Sequence, residues 1–173
     1  MRRARAHPDE LVIGIDADAS AMAESSRRAA SNPRKGGVAN AVFLAGAADD
    51  LPGPLCDRAD RVTIALPWGS LLRGVLTGDH NLLSGLGATL KSRGEVEILV
   101  SAAYRDAAAA GITLSNTADA QELGCRLASG GLQLVECRLA TKSDVDRLSS
   151  GWGKRLGIPA KRHAWLFRLR RKA

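Results

Sequence analysis

Three short stretches of this sequence carry residue types that could do chemistry. Trp68 follows the apolar run Val62 to Leu66 and a proline, Pro67, and precedes Gly69-Ser70 and a second apolar stretch. Proline has no N–H for a sheet ladder and ends the strand. In open α/β sheets ligands bind just outside the carboxyl ends of strands. An indole there is either a flat surface offered to a ligand or a core or edge anchor. Asp16 closes a second apolar run, Leu11 to Ile15. A carboxylate at a strand tip can accept both hydroxyls of a ribose, or it can serve the following helix as a cap. The third stretch, Ser149 to Gly157, is glycine-rich and basic and holds Trp152, Lys154 and Arg155.

Other chemistry finds less support. His7, His80 and His163 are far apart and show no triad or metal-ligand spacing. Cys56, Cys125 and Cys137 form no CxxC pair, which fits reduced thiols in a cytosol better than a disulfide frame or a zinc site. No metal is expected. No apolar run approaches the length of a membrane span, and no signal-like apolar core follows the charged N-terminus. The expectation is a soluble cytoplasmic protein of one domain, residues 1–173, with no membrane partner.

Charge points to the partner. The net charge is +7, and eight of the 25 Lys and Arg residues lie between Gly151 and Ala173, where no acidic residue occurs. A basic end on a near-neutral body is the footprint of a polyanion-binding protein, or else a solvated tail. Apolar residues make up 45%, enough for a core, whereas aromatics are only 3%, which makes each tryptophan informative.

The elements that must position these residues alternate. Strands are expected at Leu11 to Ile15, Ala41 to Ala45, Val62 to Leu66, Glu95 to Val100, Leu132 to Leu139 and Ala164 to Arg170. Helices are expected at Ala19 to Ala30, at Gly69 to Leu90 in two pieces broken near Gly78-Asp79, and at Thr117 to Ala128 with Ser115 or Asn116 as cap. Tyr104 to Gly111 reads as irregular or a short helix. The last two strands have no expected helix between them and should pair antiparallel. Strands alternating with helices give an open α/β sheet, and a βαβ series ending in a hairpin is the pattern of the class I methyltransferase sheet.

At IALPWGSLLRGVL and SSGWGKRLG together, the sequence resembles the aminoglycoside-resistance methyltransferases that modify N1 of adenine(1408) in 16S ribosomal RNA, the kanamycin–apramycin type. VIGID, AMAESSRRAA, AADDLP, LPWGSLLRG and GWGKRLG fall in the family's order along essentially the whole chain. The resemblance implies a Rossmann-like class I fold with helices on both faces, S-adenosylmethionine as cofactor, and 16S rRNA in the 30S subunit as substrate. Asp16 matches the acidic residue that holds the cofactor ribose. Ala48 and Asp49 match the pair beside the adenine ring. Pro67, Trp68, Gly69, Ser70, Leu71 and Leu72 match the stretch lining the methionine side and the target base. Trp68 and Trp152 match the two tryptophans that sandwich a flipped adenine. Lys154, Arg155, Lys161 and Arg162 match the loop that grips RNA phosphates, and Arg27, Arg28, Arg34 and Lys35 a second basic patch. Trp165 reads as core. Tyr104, Arg105 and Arg126 are weaker candidates for RNA contact.

The family pattern also holds an earlier strand and a DxGxGxG loop ahead of the helix that leads to the Asp16 strand. Met1 to Asp9 reads as the end of that helix. The expectation is therefore an N-terminally truncated sheet whose first strand is missing, with exposed edges on the two neighbouring strands, and a monomer. The alternatives are an RNA-binding fragment without cofactor binding, and a Rossmann-type enzyme acting on a small molecule. The C-terminal charge and the lack of a GxGxxG weaken the last of these.

Overall fold

The computed structural model describes residues 1–101, 104–148, 157–158 and 162–173. It divides into two compact units, Met1–Leu51 and Pro52–Ala173.

The first unit runs α1 (Arg2–Ala6), β1 (Val12–Asp16), α2 (Ala19–Ala29) and β2 (Ala41–Ala45), with a 3-10 turn at Pro33–Lys35. β1 and β2 pair in parallel, with Val12 opposite Ala41 and Asp16 opposite Ala45. Asp18 starts α2, its carboxylate accepting from the backbone N–H groups of Ser20 and Ala21. Asn40 ties α1 to the start of β2, its amide nitrogen lying 2.7–2.9 Å from the carbonyls of Ala4, His7 and Glu10. Gly14 has to be glycine, because a Cβ there would sit 2.9 Å from the Phe43 ring.

The second unit contains β3 (Ala59–Ala65), α3 (Gly69–Thr77), α4 (His80–Thr89), β4 (Leu90–Val100), α5 (Tyr104–Ala109), α6 (Thr117–Leu127), β5 (Leu132–Leu139), α7 (Lys142–Leu148) and β6 (Trp165–Arg171). The sheet order is β3-β4-β6-β5. β3 and β4 are parallel, and β6 runs antiparallel to both β4 and β5. The break between α3 and α4 falls at Gly78, whose φ of 67° is the left-handed conformation that lets a chain leave a helix. Asn116 caps α6, accepting from the N–H of Asp119. Among the described residues β1, β2, β3 and β5 each have a strand partner on one side only.

The two sheet faces of this unit are chemically different. Ile98, Phe167, Leu169 and Leu134 share one face with α6, where Gly124 permits close approach: a Cβ on it would lie 2.8 Å from the Leu134 side chain. The opposite face is apolar only at one end, where Leu99 and Leu166 pair, and charged beyond it, where Glu97 pairs with Arg168 and Glu95 with Arg170. α7 covers that face. It was not expected from the sequence, which led the chain from β5 to the last strand without a helix. Seven residues with only Val145 and Leu148 as large apolar groups offer too short a period to read. A reciprocal cap makes the helix instead. Asp144 accepts from the N–H and hydroxyl of Thr141 at 2.8 and 2.6 Å, and the Asp144 N–H donates to the Thr141 hydroxyl at 3.2 Å.

Candidate active site

In the second unit the stretch around Trp68 is built by two reversals of backbone hand. Leu66 has φ of 52° and Gly69 has φ of 60°. Between them Pro67 is buried and Trp68 stands 78% exposed. A leucine in the left-handed region costs about 1–3 kcal/mol and persists only where its surroundings over-determine it. Here they do: the Leu66 side chain is buried and its N–H donates to the Leu99 carbonyl at 2.7 Å. Trp68 is the residue before α3, and its carbonyl accepts from Leu72 N–H at 3.3 Å. The indole is therefore not a core anchor. Trp165, by contrast, is 3% exposed and sits in the core as expected. Gly69 and Ser70 are exposed and Leu71 half-buried, whereas the Leu72 side chain packs inward at 8% exposure. Leu72 thus supports the stretch from below.

Sequence reasoning missed what holds this stretch in place. Leu66 belongs to one apolar cluster with Leu99, Ala140, Val145, Ile158, Ala164 and Leu166, and Leu148 packs against it. Leu148 and Ile158 flank residues 149–156. The Ala140 N–H donates to the Ala164 carbonyl at 2.8 Å, and the Ser101 hydroxyl to the His163 carbonyl at 2.7 Å. The turn carrying Trp68 and the chain on either side of the glycine-rich stretch are thus tied to one end of one sheet. Trp152, Lys154, Arg155 and Lys161 lie outside the described residues, as do the side chains of Tyr104 and Arg105. Arg162 is half-buried.

In the first unit Asp16 is exposed at the carboxyl end of β1. Its Oδ1 accepts from the Asp18 N–H at 2.9 Å, leaving Oδ2 without a partner among the described residues. The helix cap is Asp18, so the capping alternative for Asp16 falls away. Asp49 is exposed and Ala48 half-buried just beyond β2, in a turn closed by the Asp50 N–H on the Ala47 carbonyl. Arg27, Arg28 and Lys35 line a shallow groove with Glu24 and Ser31, and Arg34 is exposed on the adjoining turn. Arg28 reaches Glu24 at 4.0 Å.

The C-terminal charge is less free than the sequence suggested. On β6, Arg168 lies 2.9 Å from Glu136, Arg170 lies 2.7 Å from Glu95, and Arg171 pairs with Asp57. Arg126 pairs with Glu122 at 2.7 Å, one turn away on α6. Among the described residues no group of three His, Cys, Asp or Glu side chains could hold a metal, and no helix is long and apolar enough to cross a membrane.

A family profile described as "NpmA: 16S rRNA (adenine(1408)-N(1))-methyltransferase" matches residues 1–170. The chain belongs to this methyltransferase family. The 16S rRNA (adenine(1408)-N(1))-methyltransferase of Streptoalloteichus hindustanus is 34% identical over 158 residues, covering 88% of this chain and 72% of its relative. The Escherichia coli enzyme of the same description is 30% identical over 156 residues, covering 87% and 71%. A mutant of the Catenulisporales acidiphilia 16S rRNA (adenine(1408)-N(1))-methyltransferase, crystallised with cosubstrate SAM, superposes with a TM-score of 0.86 at 34% identity, covering 99% of this chain and 80% of that one. The 16S rRNA methyltransferase KamB superposes at 0.86 with 29% identity, covering 99% and 81%. The fold is that of a class I methyltransferase, as the sequence implied. For a member of this methyltransferase family, an exposed tryptophan on a rigid turn and an unshared carboxylate oxygen at a strand tip are meaningful features.

Proposed function

We propose that this protein transfers a methyl group from S-adenosylmethionine to N1 of adenine(1408) in the 16S rRNA of the 30S subunit, in the cytoplasm and as a monomer, giving aminoglycoside resistance. The observation that carries the reading is the family match over residues 1–170 together with a tryptophan held 78% exposed on a buried, hydrogen-bonded turn. An indole exposed to that extent gains nothing from the core, so its rigid placement is accounted for by something that stacks on it.

The residues present suit the cofactor. The free Oδ2 of Asp16 would accept a ribose hydroxyl, Ala48 and Asp49 would lie along the adenine, and Pro67 to Leu72 would line the methionine side. When bound, S-adenosylmethionine supplies a sulfonium methyl that is already electrophilic. Adenine N1 carries a lone pair at neutral pH, so no general base is needed. What this chain must do is orient the base, which is catalysis by positioning. The target has to leave its stack first. Trp68 and Trp152 would offset the lost stacking, at about 1–3 kcal/mol per stacked base. Arg27, Arg28, Arg34 and Lys35, with Lys154, Arg155, Lys161 and Arg162, would hold RNA phosphates, which positions the enzyme without selecting the nucleotide.

The test is calorimetric titration of this chain with S-adenosylmethionine, paired with methylation of purified 30S subunits and mapping of the modified base by primer extension. Cofactor uptake and a stop at adenine(1408) are expected. Binding to 30S without cofactor uptake would make the chain an RNA-binding protein and overturn the enzymatic reading.

A further inference from the structure

Six charged side chains on the α7 face of the sheet close into a ring of alternating sign. Glu97 accepts from both terminal nitrogens of Arg147 at 2.8 and 3.1 Å. Arg147 lies 3.6 Å from Asp144. Asp144 accepts from Arg138 at 2.6 and 3.0 Å. Arg138 donates to Glu136 at 2.9 Å. Arg168 closes the circle, 2.9 Å from Glu136 and 3.9 Å from Glu97. The ring draws on β4, β5, β6 and α7. Glu97 and Asp144 are buried, at 4% and 6% exposure.

We infer that this ring is a positioning device for Trp68, with Arg147 and Glu97 as its positioning residues; the inference rests on the base-stacking role proposed for that tryptophan. Buried ion pairs are poor sources of net stability, because desolvation offsets their attraction. What a closed ring with two bidentate arginine forks does supply is geometry. Val145 and Leu148 alone would let α7 slide or roll on the sheet. The ring fixes both its height and its rotation. Val145 is in the same apolar cluster as Leu66, two residues before the indole, and Leu148 packs against that cluster, so α7 and the Trp68 turn share one core. A shift of about 1 Å at a positioning element is enough to cost orders of magnitude in rate.

The experiment compares Arg147→Gln and Glu97→Gln with Arg170→Gln, which breaks the Glu95–Arg170 pair on the same sheet face outside the ring. Hydrogen–deuterium exchange of residues 65–72 is measured together with 30S methylation and S-adenosylmethionine affinity. Arg147→Gln should raise exchange in that stretch and lower kcat at least tenfold, with cofactor affinity changed less than threefold. Arg170→Gln should do neither. Glu97→Gln combined with Arg147→Gln should be no worse than the poorer single variant. Unchanged exchange at 65–72 in Arg147→Gln, or an equal kcat loss in Arg170→Gln, would overturn the inference. A parent chain inactive on 30S would instead overturn the proposed function, and exchange would still decide the ring.

Discussion

At the scale of single residues, the side chain on which the proposed function most depends is one the fold declines to bury. Trp68 is held out by a strained leucine behind it and a left-handed glycine ahead of it. Its loss should therefore cost the fold little and the reaction much. Trp68→Ala is expected to reduce methyl transfer by about 5- to 150-fold while leaving the dissociation constant for S-adenosylmethionine within about threefold, the rate loss that about 1–3 kcal/mol of base stacking gives. Calorimetry and single-turnover methylation of 30S subunits check this, and a parallel loss of cofactor binding would return Trp68 to a structural role. Leu66→Ala is the converse case. It removes a buried side chain from the apolar cluster, and should lower unfolding free energy by about 2–5 kcal/mol in urea titration.

At the scale of elements, caps and ion pairs decide where helices start and how they lie. Asn116 accepts from Asp119 N–H at 3.0 Å, and Asn116→Ala should cost about 1 kcal/mol of stability through loss of that cap. α7 makes stability sensitive to acid. Arg138 hydrogen bonds, with Thr141, hold the Asp144 carboxyl well below its ordinary range. Burial pushes Glu97 up, but Arg147, with Arg61 and Arg168 near it, outweighs burial and brings it below its usual value. Both carboxylates are lowered by folding, so their contribution is present above the unfolded carboxylate range, about pH 4, and is lost as pH falls below it. The melting temperature should fall steeply between about pH 5 and pH 2 in the parent chain and more gently in Arg147→Gln.

At the scale of the whole molecule, the net charge of +7 overstates the charge available to a polyanion. The three β6 arginines are spoken for by Glu95, Glu136 and Asp57, while Arg27 and Lys35 line an open groove with just one carboxylate, Glu24. Each phosphate contact adds close to one unit to the slope of log K against log salt. Lys35→Gln should reduce the salt slope of 30S binding by about one, and Arg170→Gln should leave it unchanged. Filter binding across a salt series distinguishes the two.

Much of this protein could be read without its structure. Strands β2 and β5, the Glu95 to Val100 part of β4, and helices α2, α3, α4 and α6 follow from apolar runs punctuated by glycine, proline and capping residues, because those signals are local. Trp68 and Asp16 stand out in the sequence for the same reason: a strand tip is visible as the end of an apolar run. What the sequence could not decide depends on partners distant in the chain. Whether Trp68 is core or exposed turns on Leu66 packing against residues as far away as Ile158 and Leu166. Whether a basic C-terminus is free turns on β6 lying between β4 and β5, which sets Arg168 and Arg170 beside carboxylates more than 70 residues earlier in the chain at Glu97 and Glu95. The seven-residue helix α7 leaves no mark in the sequence because it is made by the Thr141–Asp144 cap and a ring of charges, and neither has a hydrophobic period. Composition and order sufficed for the fold and the family; tertiary pairing alone decided which charges are spent inside the molecule and which side chains are left to meet another.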